Sequence, residues 1–283
     1  MQVIEKTTAL NKILEDFHAK NLKIGFVPTM GALHNGHISL IEKALDDNDL
    51  VVCSIFVNPK QFNDKDDLIN YPRTLSDDIK LLKKTGCHIL FAPPVEEVYP
   101  TEFVKKEKVI YDFGQLDKVM EGFYRPGHFQ GVATVVHRLF EIVKPHQAYF
   151  GNKDYQQVAV IRHLVSSLNI AVKIISCDTK REHDGVAMSS RNKNLTPKGR
   201  QMAAHIPRIL NLAKEKTDSL SVEELKQWVD NEIEKTNFLK LDYFEISDAQ
   251  SLNPLKKWNT KGNNIGCIAV FAKKVRLIDN IIL

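Results

Sequence analysis

Apolar residues in the first two thirds of the chain come in short runs, at 22–29, 50–57, 88–92, 148–151 and 172–177. Each has strand length and a β-rich composition. Between the runs, 36–46, 76–84, 131–142 and 155–168 carry apolar residues at helical spacing with polar residues opposite. Strands alternating with amphipathic helices predict βα units on a parallel sheet. The predicted fold class is α/β: a Rossmann-like open parallel sheet with helices on both faces. From about Thr196 the texture changes. Thr196-Pro197 puts a capping hydroxyl before a proline at the first helical position, and Ser221 with Glu224 has capping-box spacing, so helices are expected to start at both points. Strand-like runs follow at 241–246, 265–272 and 275–278. This second region reads as a smaller α+β domain. The boundary falls between 177 and 191, giving domains at 1–180 and 181–283, with no internal repeat or low-complexity segment between them.

Composition narrows the functional classes. Of 283 residues, 43% are hydrophobic and 26% charged, a balance that excludes disorder. The net charge of +4 is spread along the chain without a basic block, so no nucleic-acid footprint is present. Cys53, Cys87, Cys177 and Cys267 form no CxxC pair, which argues against a zinc knuckle or redox dithiol and for a reducing compartment. No apolar run approaches a bilayer span. A cytoplasmic protein without membrane partners is expected.

The first chemically informative stretch is PTMGALHNGH at 28–37, after the first strand and leading into a helix. Ligands of open α/β sheets lie at the carboxyl ends of strands, and a helix N-terminus there offers N–H groups to phosphate. His34 and His37, three apart, suit a phosphoryl chain, and Gly36 lets a nucleotide approach bare backbone. Capping histidines, or two metal ligands lacking a third, are the competing readings. The second stretch is MSSRN at 188–192, which combines two hydroxyls with a guanidinium matched to phosphate. HxGH at a strand-to-helix turn resembles the signature of nucleotidyltransferases and class I aminoacyl-tRNA synthetases, and 188–192 resembles a variant of their KMSKS loop without its lysines.

The likeness sharpens with further motifs. PTMGALH at 28–34, FVNPKQF at 56–62, YPRT at 71–74, RPGHF at 125–129, FGNKDYQQ at 150–157 and MSSRN at 188–192 stand in the order and spacing of the pantothenate synthetase family, the AMP-forming pantoate:β-alanine ligases. That resemblance implies adenylation of pantoate by ATP and transfer of the acyl group to β-alanine. It further implies Mg²⁺ on the triphosphate, a homodimer, and a C-terminal domain serving as a lid.

The resemblance assigns ATP binding to Pro28, Thr29, Met30, His34, Gly36, His37, Gly151, Lys153, Asp154, Val186, Met188, Ser189, Ser190 and Arg191. Among these, His34, His37, Lys153, Ser189, Ser190 and Arg191 carry catalysis. Pantoate falls to Gln61, Gln157, Met30, Phe56, Asn58 and Val132. Neutral amides suit that task, because an arginine would neutralise the carboxylate that must act as nucleophile. Asp77 is assigned to magnesium, although Thr74 and Asp77 also have capping-box spacing; Asp154 is assigned to the ribose, although it too could cap a helix. Two other classes share parts of the pattern. A nucleotidyltransferase making a dinucleotide would have no use for Gln61 and Gln157, and a non-catalytic nucleotide- or RNA-binding module would lack turnover.

Overall fold

The computed structural model describes residues 1–101 and 109–283 and resolves into two compact units. The first comprises Met1–Phe113, Arg125–Asn152 and Val160–Asp178; the second comprises Gly114–Tyr124, Lys153–Ala159 and Thr179–Leu283.

In the first unit, β1 (Gln2–Ile4), α1 (Thr7–Ala19), β2 (Ile24–Thr29), α2 (Asn35–Asp47), β3 (Leu50–Ile55), α3 (Leu75–Lys83), β4 (Ile89–Phe91), α4 (His128–Val143), β5 (Gln147–Gly151) and β6 (Lys173–Cys177) follow in order. Helix α5 (Tyr155–Ser167) lies between β5 and β6 in the chain, and its residues 155–159 belong to the second unit. The strands form a parallel sheet in the order β1-β4-β3-β2-β5-β6. Both faces of a parallel sheet are covered, which is why β2 and β3 read as unbroken apolar runs rather than alternating ones. On one face Leu33, Leu40, Ile41 and Ala44 pack with Val27, Val51, Leu82, Leu90 and Tyr149. On the other, Phe140 of α4 meets Phe26 edge to face at 6.3 Å.

The chain winds outward in both directions from β2 and β5, so the switch point of the topology lies between them. Their pairing is confined to Gly25↔Gln147 and Phe26↔Ala148, whereas β2 stays paired with β3 as far as Thr29↔Ile55. Beyond Phe26 the ladder between β2 and β5 ends, and their carboxyl ends present open backbone at the place where ligands of this architecture sit.

In the second unit, α6 (His205–Glu215) and α7 (Val222–Glu234) precede β7 (Leu239–Asp248), β8 (Asn264–Ala272) and β9 (Val275–Ile282), an antiparallel sheet in the order β7-β8-β9. Both predicted starts are realised. Thr196 Oγ1 accepts from Gly199 N with Pro197 at the first helical position, and Ser221 and Glu224 close a capping box. Inside this unit Arg276 grips Glu121 at 2.7 and 2.9 Å, Tyr243 Oη donates to Glu121 at 3.0 Å, and Gln156 binds the carbonyls of Leu116 and Val119. These bonds tie 114–124 to the C-terminal sheet.

Two histidines start strands in the first unit: His88 Nδ1 accepts from Val51 N and His146 Nδ1 from Ile24 N, each at 3.0 Å. Burial holds His88 below the usual imidazole range, and burial together with His146 and Lys144 does the same for His18, whose ring lies 5.5 Å from that of His146. A depressed folded-state pKa means that the unfolded chain binds more protons, so this stability is fully present above about pH 6.5 and is lost as the pH falls through the folded values. Urea unfolding between pH 7.5 and 5 should show stability falling with acidity, and the slope should flatten in a His18→Gln, His88→Gln double variant. An unchanged slope would remove these rings as the cause.

Candidate active site

Strand β2 ends at Thr29, whose Oγ1 donates to Ser54 O at 2.7 Å and accepts from Gly31 N at 3.1 Å. The backbone then turns left-handed at two successive residues, Gly31 (φ +81) and Ala32 (φ +49). Glycine adopts this at no steric cost; alanine loses about 1–2 kcal/mol. The conformation is held by Asp78, on the first turn of α3, which accepts from Ala32 N at 2.9 Å and Leu33 N at 2.8 Å.

The turn delivers His34, in extended conformation, as the cap of α2. His34 Nδ1 accepts from Gly36 N at 3.1 Å, and His37 Nδ1 accepts from His34 N at 3.3 Å, so two imidazoles perform the reciprocal capping usually done by Ser and Glu. An accepting Nδ1 carries no proton, which assigns both rings to the neutral form with hydrogen on Nε2. The ring centroids lie 4.0 Å apart, the planes tilted by 35°. Capping and phosphate binding are therefore not alternatives: Nδ1 serves the helix, and Nε2–H is a donor of the kind a phosphate oxygen needs. The positive end of the 13-residue α2 adds to the same anion preference.

Beside this turn the 3₁₀ segment Pro59–Gln61 presents Gln61, with Nε2 2.9 Å from Met30 Sδ. The amide is oriented from behind. Fully buried Asn58 donates to Gln61 Oε1 and to Gly131 O, both at 3.1 Å, and accepts from Tyr99 Oη at 2.9 Å. Burial pushes the Tyr99 hydroxyl up, so it stays a donor. With Oε1 taken by Asn58, the Gln61 NH₂ group is turned toward Met30. His128 fixes the backbone, its Nδ1 2.8 Å from Gln61 O and its Nε2 3.1 Å from Arg125 Nη1. A guanidinium only donates, so Nε2 accepts and Nδ1–H donates to the carbonyl. Gly131 lets α4 touch this segment, since a Cβ there would lie 2.2 Å from Lys60 O. Phe56 and Val132 are buried, Phe56 edge to face with Tyr99 at 5.9 Å.

Asp77 stands apart from this network. Its side chain is 72% exposed and pairs with Lys80 at 3.0 Å. The capping box that its spacing with Thr74 suggests does not form: the Thr74 hydroxyl caps no backbone amide of α3 and donates instead to the side chain of Asp78, Oδ1 at 3.2 Å. The carboxylate faces solvent, so the oxygen not held by Lys80 is of the donor type that magnesium takes beside phosphate and water. Asp78, with both oxygens engaged by backbone amides, offers no such oxygen.

In the second unit Lys153 and Ser189 line one small depression, together with Val186, Asn192 and Asp279, so residues 36 positions apart come together there. Lys153 Nζ is 3.2 Å from Asp154 Oδ1, and Asn280 Nδ2 holds the Lys153 carbonyl at 2.9 Å. Ser189 caps the 3₁₀ turn Ser190–Asn194, its Oγ accepting from Arg191 N at 3.2 Å, while Ser190 is buried. The approach to this turn is pinned by two bidentate ion pairs, Arg181 with Asp279 and Arg200 with Asp184. Met188 N donates to Lys180 O at 3.0 Å. Gln157 is half-buried on α5, next to the structural Gln156. In the first unit, Gly151 ends β5, where a Cβ would meet nothing within 4 Å.

Asp78 and Tyr99 are the polar residues of this site that sequence reasoning passed over. Asp78 had a visible signal: it shares the apolar stripe of α3 with Leu75, Ile79 and Leu82, where a carboxylate needs a buried partner. Tyr99 had none, because its role depends on a contact 41 residues away.

A parallel sheet with an HxGH turn capping the helix at its switch point defines the class of α/β proteins that meet phosphate at a helix N-terminus. Comparison with known proteins narrows the class. The sequence profile described as Pantoate-beta-alanine ligase matches residues 2–282. Pantothenate synthetase of Azobacteroides pseudotrichonymphae is 50% identical over 280 residues, covering 99% of this chain and 97% of that one. That of Bacteroides fragilis is 45% identical over 281 residues, covering 99% and 98%. Among solved structures, pantothenate synthetase from Thermus thermophilus superposes with a TM-score of 0.90 at 41% identity, covering 99% of both chains. Pantoate-beta-alanine ligase from Francisella tularensis, complexed with beta-gamma ATP and beta-alanine, does so with a TM-score of 0.82 at 39% identity, covering 100% and 97%. The chain belongs to the pantoate–β-alanine ligase family.

The close approach at Gly131 gives a test of the Gln61 support. Gly131→Ala sets a methyl group against backbone that has no rotamer to change, so overpacking should lower stability by about 1–3 kcal/mol in urea unfolding. A variant as stable as the parent would mean that the segment is not seated on α4.

Proposed function

We propose that this chain condenses pantoate with β-alanine at the expense of ATP, giving pantothenate, AMP and pyrophosphate through a bound pantoyl adenylate. The observation that carries the reading is the reciprocal capping by His34 and His37, which puts two neutral imidazoles with Nε2–H donors at the N-terminus of α2. Membership of the ligase family supports the choice of substrates, as does the nucleotide and β-alanine complex of the Francisella protein.

In this reading His34 and His37 hold the phosphate chain of ATP, with Pro28, Thr29, Met30, Gly36 and Gly151 supplying backbone and wall. Lys153, Ser189, Ser190 and Arg191 bind nucleotide phosphate, Asp154 the ribose, and Val186 and Met188 the base. Gln61 and Gln157 hold pantoate through neutral amides, with Asn58 orienting Gln61 and with Met30, Phe56 and Val132 against its methyl groups. The pantoate carboxylate attacks the α-phosphorus in line. No general base is needed, because a carboxylate with a pKa of about 4 is already ionised at neutral pH. Catalysis consists of positioning and of stabilising the charge that moves onto the departing pyrophosphate. The amine of β-alanine then attacks the acyl carbon, loses a proton, and displaces AMP. Magnesium, held by Asp77, would neutralise triphosphate charge when bound. A homodimer and a cytoplasmic location belong to the same reading; four cysteines free of disulfides fit a reducing compartment.

Mass spectrometry of the protein incubated with ATP, magnesium, pantoate and β-alanine should find pantothenate and AMP in equal amounts. ADP or a dinucleotide as product would overturn the reading. Exchange of labelled pyrophosphate into ATP should require pantoate and fall about 100- to 1000-fold in His37→Ala and in Lys153→Ala, the usual cost of one charge-stabilising donor. Near-normal exchange in a folded variant would remove that residue from the mechanism.

A further inference from the structure

We propose that Asp78 is a positioning residue for nucleotide, acting only through the backbone of the turn that precedes His34; this rests on the function proposed above. Its carboxylate is 3% exposed, and its oxygens accept from Ala32 N (2.9 Å), Leu33 N (2.8 Å) and Thr74 Oγ1 (3.2 Å). The two amides are consecutive, one within and one directly after the left-handed stretch, where Gly31 and Ala32 have φ of +81 and +49. A carboxylate spans such a pair with one oxygen to each N–H. No uncharged side chain of the same size supplies two acceptors so placed, since the amide of asparagine opposes one N–H with another.

A Cβ on Gly31 would lie 3.2 Å from Asp78 Oδ2 and 3.0 Å from Ile55 Cγ2, so Gly31 too packs closely against the carboxylate and the end of β3. Leu33 is adjacent to His34, whose own N–H and Nδ1 set both rings. A shift of Leu33 is therefore passed directly to the imidazoles, and displacement of a binding group by about 1 Å can cost on the order of 100-fold. Gln61 meets the turn at Met30 Sδ, but its orientation is set from outside the turn, through Tyr99, Asn58, His128 and Gly131. Loss of Asp78 thus weighs far more on nucleotide binding than on pantoate binding.

The test compares the full-length protein with its Asp78→Asn variant in steady-state kinetics and in calorimetric titration with α,β-methylene-ATP and magnesium. The expected result is a KM for ATP and a Kd for the analogue raised about 10- to 100-fold, with the KM for pantoate within about twofold. Equal rises in both KM values, or no rise for ATP, would overturn the assignment. Should Asp78→Asn fail to fold, Thr74→Val withdraws only the third donor. It should raise the KM for ATP about two- to fivefold with the pantoate KM unmoved, and an unchanged ATP KM would overturn the proposal equally. Failure of the parent protein to form pantothenate and AMP would instead count against the function, which keeps the two failures apart.

Discussion

A carboxylate bonded to two consecutive backbone amides, Asp78 to Ala32 and Leu33, is the constraint on which the geometry of the HxGH turn depends. The chain must leave β2, reverse, and enter α2 within a few residues, and it does so through a left-handed conformation that alanine resists. Charge-assisted bonds at both amides offset that resistance. The arrangement costs the fold a buried ionisable group on the apolar face of α3, which a leucine there would avoid. Such local conflict between packing and chemistry is expected where a site is built.

Downstream of the turn, each histidine ring is used twice. Capping through Nδ1 fixes the ring, selects the tautomer and leaves Nε2–H as donor, so positioning and protonation follow from one hydrogen bond. The same economy recurs elsewhere in the first unit. Asn58 divides its amide between orienting Gln61 and holding the α4 backbone at Gly131, and His128 fixes Gln61 while accepting from Arg125. Donors arranged in advance for an anion need no reorganisation when charge develops on it.

The sheet strands, the helix starts at Pro197 and Val222, and the strand-turn-helix setting of His34 and His37 were legible in the sequence, because each rests on local pattern or local capping. Helix α1 and strand β1 were passed over: α1 buries only Leu10 and Leu14 beneath a charged surface, and β1 is a three-residue edge strand. The roles of Asp78, Tyr99, Glu121 and Gln156 were hidden for another reason. Each acts through a partner 35 or more residues away, and Asp78 further stands beside Asp77, a neighbour of the same type with the opposite exposure. Spacing alone also suggested a Thr74–Asp77 capping box, which lost to the stronger demand of the buried carboxylate for the Thr74 hydroxyl.

The most direct measurement of the central claim is the tautomeric state of His34 and His37, read from ring-nitrogen NMR of the ¹⁵N-histidine-labelled protein without nucleotide at pH 7.5. The account requires hydrogen on Nε2 and a bare, accepting Nδ1 in both rings before any ligand is added. Hydrogen on Nδ1 of either ring, or a doubly protonated ring, would contradict it.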